Sequence, residues 1–424
     1  MRKAAIWLIL AALATLMLSN YLTGAILPAF GPSNSDFSEL YSTSWLWRHG
    51  QNPYDPALAT AARQNVVGQH GPIYLVNVPT ALVAAAPFTF LPWGWANFLF
   101  LILGVIGVAA TIAAVVRLRG RLAWDIETAL AIVFILAFSP LRIAFQWGNV
   151  VLLVLPLSIL TIVLADEYER DWLAGPLLGL ATCFKPQIGV WIAIYYLLGG
   201  RFKIIGTAVA VSVTIAALFF LHPIPYHDLL SSYRANLQHW FAPGGLYGFT
   251  EGSVSFNLLR TQGIFYRLIH SVSAANWMAY LLFLVCAVIW SVLVWRSRER
   301  MPASLVVVTL VAISFLAFYH SIPDVALLII ALCDAFPVSL AKWTRIQKWI
   351  CFLLFLLMLP QRSISVFLAH HLSTWILRSW WWDLFFNRYI AWLLLALCIA
   401  LILRMRELQG DASDLALHPT KEIA

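Results

Sequence analysis

The chain has 424 residues, of which 62% are hydrophobic and only 11% charged, with a mean hydropathy of +0.82. Water-soluble domains carry roughly a quarter charged residues, so this balance excludes them and points to a polytopic membrane protein. The net charge of +8 does not signal nucleic acid, because the basic residues are dispersed between apolar stretches rather than gathered on one face.

Ala4 to Leu27, Phe98 to Val116 and Tyr280 to Trp295 match or approach the roughly 20 apolar residues of a spanning helix. Spanning strands would alternate instead, so the fold class is an all-α polytopic membrane protein. The first apolar run exceeds the roughly 7–15 residues of a signal-peptide core, which predicts an uncleaved first helix. Arg2/Lys3, Arg117/Arg119/Arg121, Arg201/Lys203, Arg296/Arg298/Arg300, Lys342/Arg345/Lys348 and Arg404/Arg406 are all expected on the cytoplasmic side.

Those clusters fix the parity of the crossings. Helix 1 exits, Tyr74 to Leu91 stays outside or dips into the interface, and Phe98 to Val116 returns. Segments near Thr128 to Phe145 and Val150 to Leu164 follow, and Asp166 to Asp171 lies inside. Leu173 to Leu198 begins and ends beside cytoplasmic charges and is broken at Lys185-Pro186, which predicts two short helices meeting at an outer apex. Ile204 to Leu221 exits, and five later crossings bring the expected total to about twelve.

The chain divides accordingly into a core module over 1–221 with an outer loop at 28–93, a long outer loop at 222–275, carboxyl-terminal helices over 276–406, and a polar cytoplasmic tail at 407–424 expected to be unstructured. In the first outer loop, Phe37, Leu40, Tyr41, Trp45 and Leu46 fall near helical spacing, which predicts an amphipathic helix lying along the interface. A turn at Gly50 to Pro56 and a second interfacial helix over Ala57 to Val67 follow.

Asp36 is the first candidate functional residue, since an acid at a lipid boundary is costly unless hydrated, paired or used. Its rival role is capping the helix that begins at Phe37. Glu39, three residues on, completes a capping-box pattern and reads as structural, and Asp55 before Pro56 reads as a helix start. The same parity brings Gln146, Asn149, Lys185, Tyr319 and His320 to the outer level. Cys183, Cys286, Cys333, Cys351 and Cys398 lack paired spacing and read as core residues, and Trp380-Trp-Trp382 reads as an aromatic belt.

Ser35-Asp-Phe, Tyr41, Trp45 and Arg48-His-Gly-Gln-Asn-Pro-Tyr-Asp55 together resemble the signature of glycosyltransferase family 87, of the GT-C superfamily. Gln146-Trp-Gly-Asn149 and the glycine-spaced segment from Gly175 to Gln187 with Lys185-Pro186 are similar to further motifs of that family, as is Tyr319-His-Ser-Ile-Pro-Asp324. The resemblance implies a GT-C fold and inverting transfer of a sugar, typically mannose, from a polyprenyl phosphate to a glycolipid or glycan acceptor at the outer face. It makes Asp36 the general base.

The departing phosphate needs cations or donors, for which Lys185, His320 and Arg142 are the candidates, with Gln146 and Asn149 in the donor site. The rival reading is snorkelling for Lys185 and satisfaction of helix-end carbonyls for Gln146 and Asn149. Trp240, Tyr247 and Glu251 in the glycine-rich outer loop are candidate acceptor or lid contacts. With no Asp-x-Asp motif for a metal-bound nucleotide sugar, no metal and no cofactor are expected. Compact loops favour a bacterial plasma membrane with the site facing outward. A secondary transporter is the alternative, but it would place broken helices in both halves, and only Lys185-Pro186 shows a clear break. Another polyprenyl-linked sugar, such as arabinofuranose, is the alternative donor.

Overall fold

In a computed structural model, the structure is described for residues 2–29, 36–120, 125–222, 224–242, 248, 259–297, 301–336, 343–359, 367, 371–377 and 379–417. All regular structure among these residues is helical. Five helices are long and apolar enough to cross a membrane: Ile6–Ile26, Trp93–Leu118, Phe202–Phe219, Val272–Ser297 and Tyr389–Gly410. Ile126–Ala137 and Ser139–Trp147 make a sixth span if the 42° bend between them is allowed. The chain is therefore an integral membrane protein.

Full-length spans are fewer among the described residues than the twelve expected from hydropathy. The other apolar stretches fold as short helices, among them Val151–Ile162, Asp171–Phe184, Pro186–Leu198, Ala303–Ser314 and Arg345–Met358, of 12 to 14 residues. Fourteen residues rise roughly 21 Å, short of the roughly 30 Å hydrocarbon core. Lys185-Pro186 divides one apolar stretch as expected, because Pro186 sits at the start of a new helix where its missing N–H is harmless.

Of the basic clusters assigned to one side of the membrane, Arg117, Arg119, Arg201 and Arg404 enter a network of polar contacts. Arg119 donates to the Phe336 carbonyl at 3.1 Å, Arg404 pairs with Asp334 at 2.9 Å, and Gln347 donates to the Asp334 carbonyl at 2.7 Å. Arg117 faces Glu167 at 3.6 Å, and Arg201 pairs with Asp171 and with Asp166. The helices that start or end in this network carry Lys185 and Asp324 at their opposite ends. The tail departs from expectation: the last helix runs on through Glu407 to Leu417, with Glu407 accepting from Arg404 at 2.6 Å.

The Gly175 and Gly179 pair sets the position of Lys185. A Cβ at Gly175 would lie 2.6 Å from the Ile204 carbonyl oxygen, and one at Gly179 would lie 2.6 Å from that of Ala208. Small residues one turn apart thus let the Asp171–Phe184 helix seat directly on the backbone of Phe202–Phe219. Gly179→Val is expected to lower stability by about 1–3 kcal/mol through overpacking. Gly206→Ala, whose added Cβ meets nothing within 4 Å, is expected to leave the thermal midpoint unchanged or raise it. Equal melting of the two variants would refute this packing account.

The Asp36–Arg48 helix forms where periodicity places it, but protein surrounds most of it. Phe37 stacks on Phe100 at 4.1 Å, and Trp47 donates to the Phe219 carbonyl at 3.0 Å. Its polar face is buried as well, because it consists of small hydroxyl residues that satisfy themselves: Ser42 donates to the Ser38 carbonyl at 2.8 Å and Thr43 to that of Glu39 at 2.6 Å. Asp55 caps the next helix, Pro56–Ala62, accepting from the amides of Ala57 at 2.8 Å and Leu58 at 3.1 Å. The five cysteines are free and buried. Trp382 is buried and stacks on Phe386 at 4.4 Å, whereas Trp380 is exposed.

Candidate active site

A cavity of about 410 Å³ opens at the end of the bundle opposite the arginine network, and Asp36, Glu39, Asn149 and Lys185 all line it. Asp36 sits in the first turn of its helix, where a carboxylate also gains from the exposed amides. Gly148, left-handed with φ +60°, ends the Ser139–Trp147 helix and lets Asn149 turn back towards Asp36. Asn149 Nδ2 donates to Asp36 Oδ2 at 2.5 Å, and its Oδ1 accepts from the Val151 amide at 3.0 Å.

Lys185, buried at the break between its two helices, pairs through Nζ with Asp324 Oδ1. Asp324 Oδ2 accepts from the Ser321 amide at 2.9 Å and lies 3.6 Å from His320 Nδ1. His320 is enclosed: its ring stacks on Phe315 at 4.1 Å, and Nε2 sits 3.1 Å from Ser314 Oγ. His320 is not a lining residue of the cavity. The imidazole thus supports Asp324, and Asp324 supports Lys185. In the sequence Asp324 stands only at the end of the Tyr319–Asp324 motif; its Ser321-x-x-Asp324 spacing is the local signal for it.

Glu39 reads from sequence as a capping residue, yet it faces the cavity one turn after Asp36 and lies 3.6 Å from Arg63. Arg63, which sequence reasoning missed, is buried and donates to Gln69 Oε1 at 3.1 Å. Burial raises the Asp36 carboxyl above its ordinary value, with the Asn149 hydrogen bond and the Lys185 charge opposing it. Asp36 is half-buried, and its open side is the cavity. Glu39 is pushed up to about 7, by burial first and the Asp36 charge second, against the pull of Arg63.

This shift has a consequence for stability. The folded protein holds the Glu39 proton up to about pH 7 while the unfolded chain releases it near 4.5, so stability should fall as pH rises through that window. The thermal midpoint of the wild type is expected to drop between pH 5 and pH 8, and Glu39→Gln should flatten that slope. An unchanged slope would refute the assignment.

The far wall of the cavity joins the extended segment 74–78 to the Tyr226–Phe241 helix. Trp240, a candidate lid residue, lines the cavity and donates to the Tyr74 carbonyl. Tyr247 and Glu251 lie outside the described residues. Gln146 donates to the Gly24 carbonyl, and Arg142 lies beside Gly24 and Tyr21 on the first helix. Neither Gln146 nor Arg142 is among the lining residues of the cavity.

The chain resembles, in overall structure, ArnT from Cupriavidus metallidurans bound to undecaprenyl phosphate, with 13% identity and a TM-score of 0.39 over 97% of this chain and 80% of that one. ArnT from the same organism in the apo state matches with 12% identity and a TM-score of 0.40, over 100% of this chain and 81% of that one. No curated protein matches the sequence. Comparison with known families matches glycosyltransferase family 87 over residues 75–321, more than half of the chain, including Asn149, Lys185, His320 and Asp324. Asp36 precedes the matched region, and its place beside Asn149 comes from the fold. On that match the chain belongs to glycosyltransferase family 87.

Proposed function

We propose that the protein is an inverting glycosyltransferase that moves mannose from a polyprenyl phosphate to a glycolipid or glycan acceptor at the outer face of a bacterial plasma membrane. The observation that carries this reading is the meeting of one carboxylate, Asp36, and one buried cation, Lys185, on a single cavity in a family 87 chain. The acceptor hydroxyl attacks the anomeric carbon from the side opposite the phosphate and gives its proton to Asp36. The bond from the anomeric carbon to the phosphate oxygen breaks, the electron pair leaves with the phosphate, and Lys185 faces the developing charge. Asn149 holds the Asp36 carboxylate in place through its 2.5 Å hydrogen bond.

The test is transfer by the purified protein from radiolabelled polyprenyl-phosphate-mannose to a membrane lipid extract, with and without EDTA. A labelled glycolipid formed equally in both tubes is the expected result. Product only without EDTA would overturn the metal-free reaction, and product only from another polyprenyl-linked sugar would overturn mannose.

A further inference from the structure

The backbone of segment 74–76 is held to the Tyr226–Phe241 helix through its carbonyls, and the Tyr74 ring stacks on His239 at 3.6 Å. Trp240 donates to the carbonyl of Tyr74, Asn236 to that of Leu75 at 3.1 Å and Tyr233 to that of Val76 at 3.4 Å. These three side chains fall on one face of the helix. Tyr54, whose ring packs on Tyr233 at 5.1 Å, donates to the Asn77 carbonyl at 2.8 Å. Four consecutive peptides are thus fixed by their oxygens to one layer of side chains.

In a trans peptide the C=O of one residue and the N–H of the next point in opposite directions. The amides of Leu75, Val76, Asn77 and Val78 therefore face away from that layer. Leu75 is buried and Val76, Asn77 and Val78 are partly buried, and among the described residues none of the four amides has an acceptor, although most buried amides find one. Leu75 lines the cavity together with Tyr74, Val76, Asn77 and Val78. Thr80 donates to the Cys183 carbonyl at 2.9 Å, which seats the end of this amide row against the turn that carries Lys185.

We propose that the amides of residues 75–78 bind lipid-phosphate oxygens and, resting on the glycosyltransferase reading above, that this phosphate is the donor's. Unpaired amides in a row favour an anion. Lys185 shares its charge with Asp324, so the amides supply neutral donors that hold a phosphate without a second buried cation. The carboxylates of Asp36 and Glu39 line the same cavity and are left for the sugar hydroxyls.

Val78→Pro isolates one of these donors. Val78 has φ −68°, the angle proline imposes, so the change removes the N–H with little change of backbone. Val78→Ala keeps the N–H and serves as control. Binding of undecaprenyl phosphate and of uncharged undecaprenol to the full-length protein in detergent would be titrated by calorimetry. Val78→Pro is expected to weaken undecaprenyl phosphate about tenfold, in line with a hydrogen bond to a charged group, and to leave undecaprenol unchanged. Wild-type affinity in Val78→Pro would overturn the amide site while leaving the donor reading intact. A wild type that fails to prefer undecaprenyl phosphate over undecaprenol would overturn the donor reading and the proposal with it.

Dioleoyl phosphatidylglycerol vesicles are the competing arm. Their displacing undecaprenyl phosphate from the wild type, at similar lipid concentration, would assign the amides to a general phospholipid headgroup and overturn the donor assignment. Should Val78→Pro not fold, Tyr54→Phe releases the Asn77 carbonyl and lets the Val78 amide swing. A several-fold loss of undecaprenyl phosphate binding in Tyr54→Phe at unchanged melting temperature supports the proposal, and no loss overturns it.

Discussion

Asp36→Asn is expected to reduce sugar transfer by about 10²- to 10⁴-fold, the usual contribution of a general base, while leaving the melting temperature and donor affinity close to wild type. The amide keeps the volume of the carboxylate and can still meet Asn149 after a flip of its own side chain, but it cannot take the acceptor proton. Burial raises the Asp36 carboxyl, so the acid limb of kcat/KM should lie above the ordinary carboxylate range, with rate rising as Asp36 loses its proton. Asn149→Ala removes the hydrogen bond that opposes this shift and should move the limb to still higher pH. Transfer at the normal rate by Asp36→Asn, assayed in membranes with polyprenyl-phosphate-mannose, would remove Asp36 from catalysis and leave it a helix-start residue.

Glu39→Gln separates the two carboxylates. It removes one of the two acids that line the cavity and leaves the Asp36 base in place. A loss as deep as that of Asp36→Asn would assign the base to the wrong carboxylate.

What the sequence made legible was local. The break at Lys185-Pro186 and the cap at Asp55 follow from backbone chemistry written within a few residues. Of the dispersed basic clusters, Arg119, Arg201 and Arg404 take part in polar contacts at helix ends. Partners distant in the chain were not readable. Glu39 fits a capping box by spacing, but the fold brings Arg63 to it. The Asp36–Arg48 helix reads as amphipathic because serine and threonine count as polar, whereas back-bonding to their own helix lets them be buried. The carbonyl pins along segment 74–77 come from residues more than a hundred positions away, apart from Tyr54. No pattern in that segment announces them.

The Lys185 and Asp324 pair should show the largest effect on stability. Both side chains are buried, and removing one partner of such a pair destabilises by about 3–5 kcal/mol because the other charge is left uncompensated. Asp324→Ala also strips the Ser321 amide of its acceptor and removes the charge 3.6 Å from His320, so it should be the more severe single change, ahead of Lys185→Ala. The double variant Lys185→Met with Asp324→Leu removes both charges at similar volume and should melt closer to wild type than either single variant. Its activity then separates two roles for Lys185. If the lysine only anchors Asp324 and the 315–321 turn, the repacked protein should recover transfer along with stability. If Lys185 faces the departing phosphate, stability should return while transfer stays low and undecaprenyl phosphate binds weakly. The second outcome is expected, because Lys185 lines the cavity beside Asn149 while His320, the other support of Asp324, does not reach it.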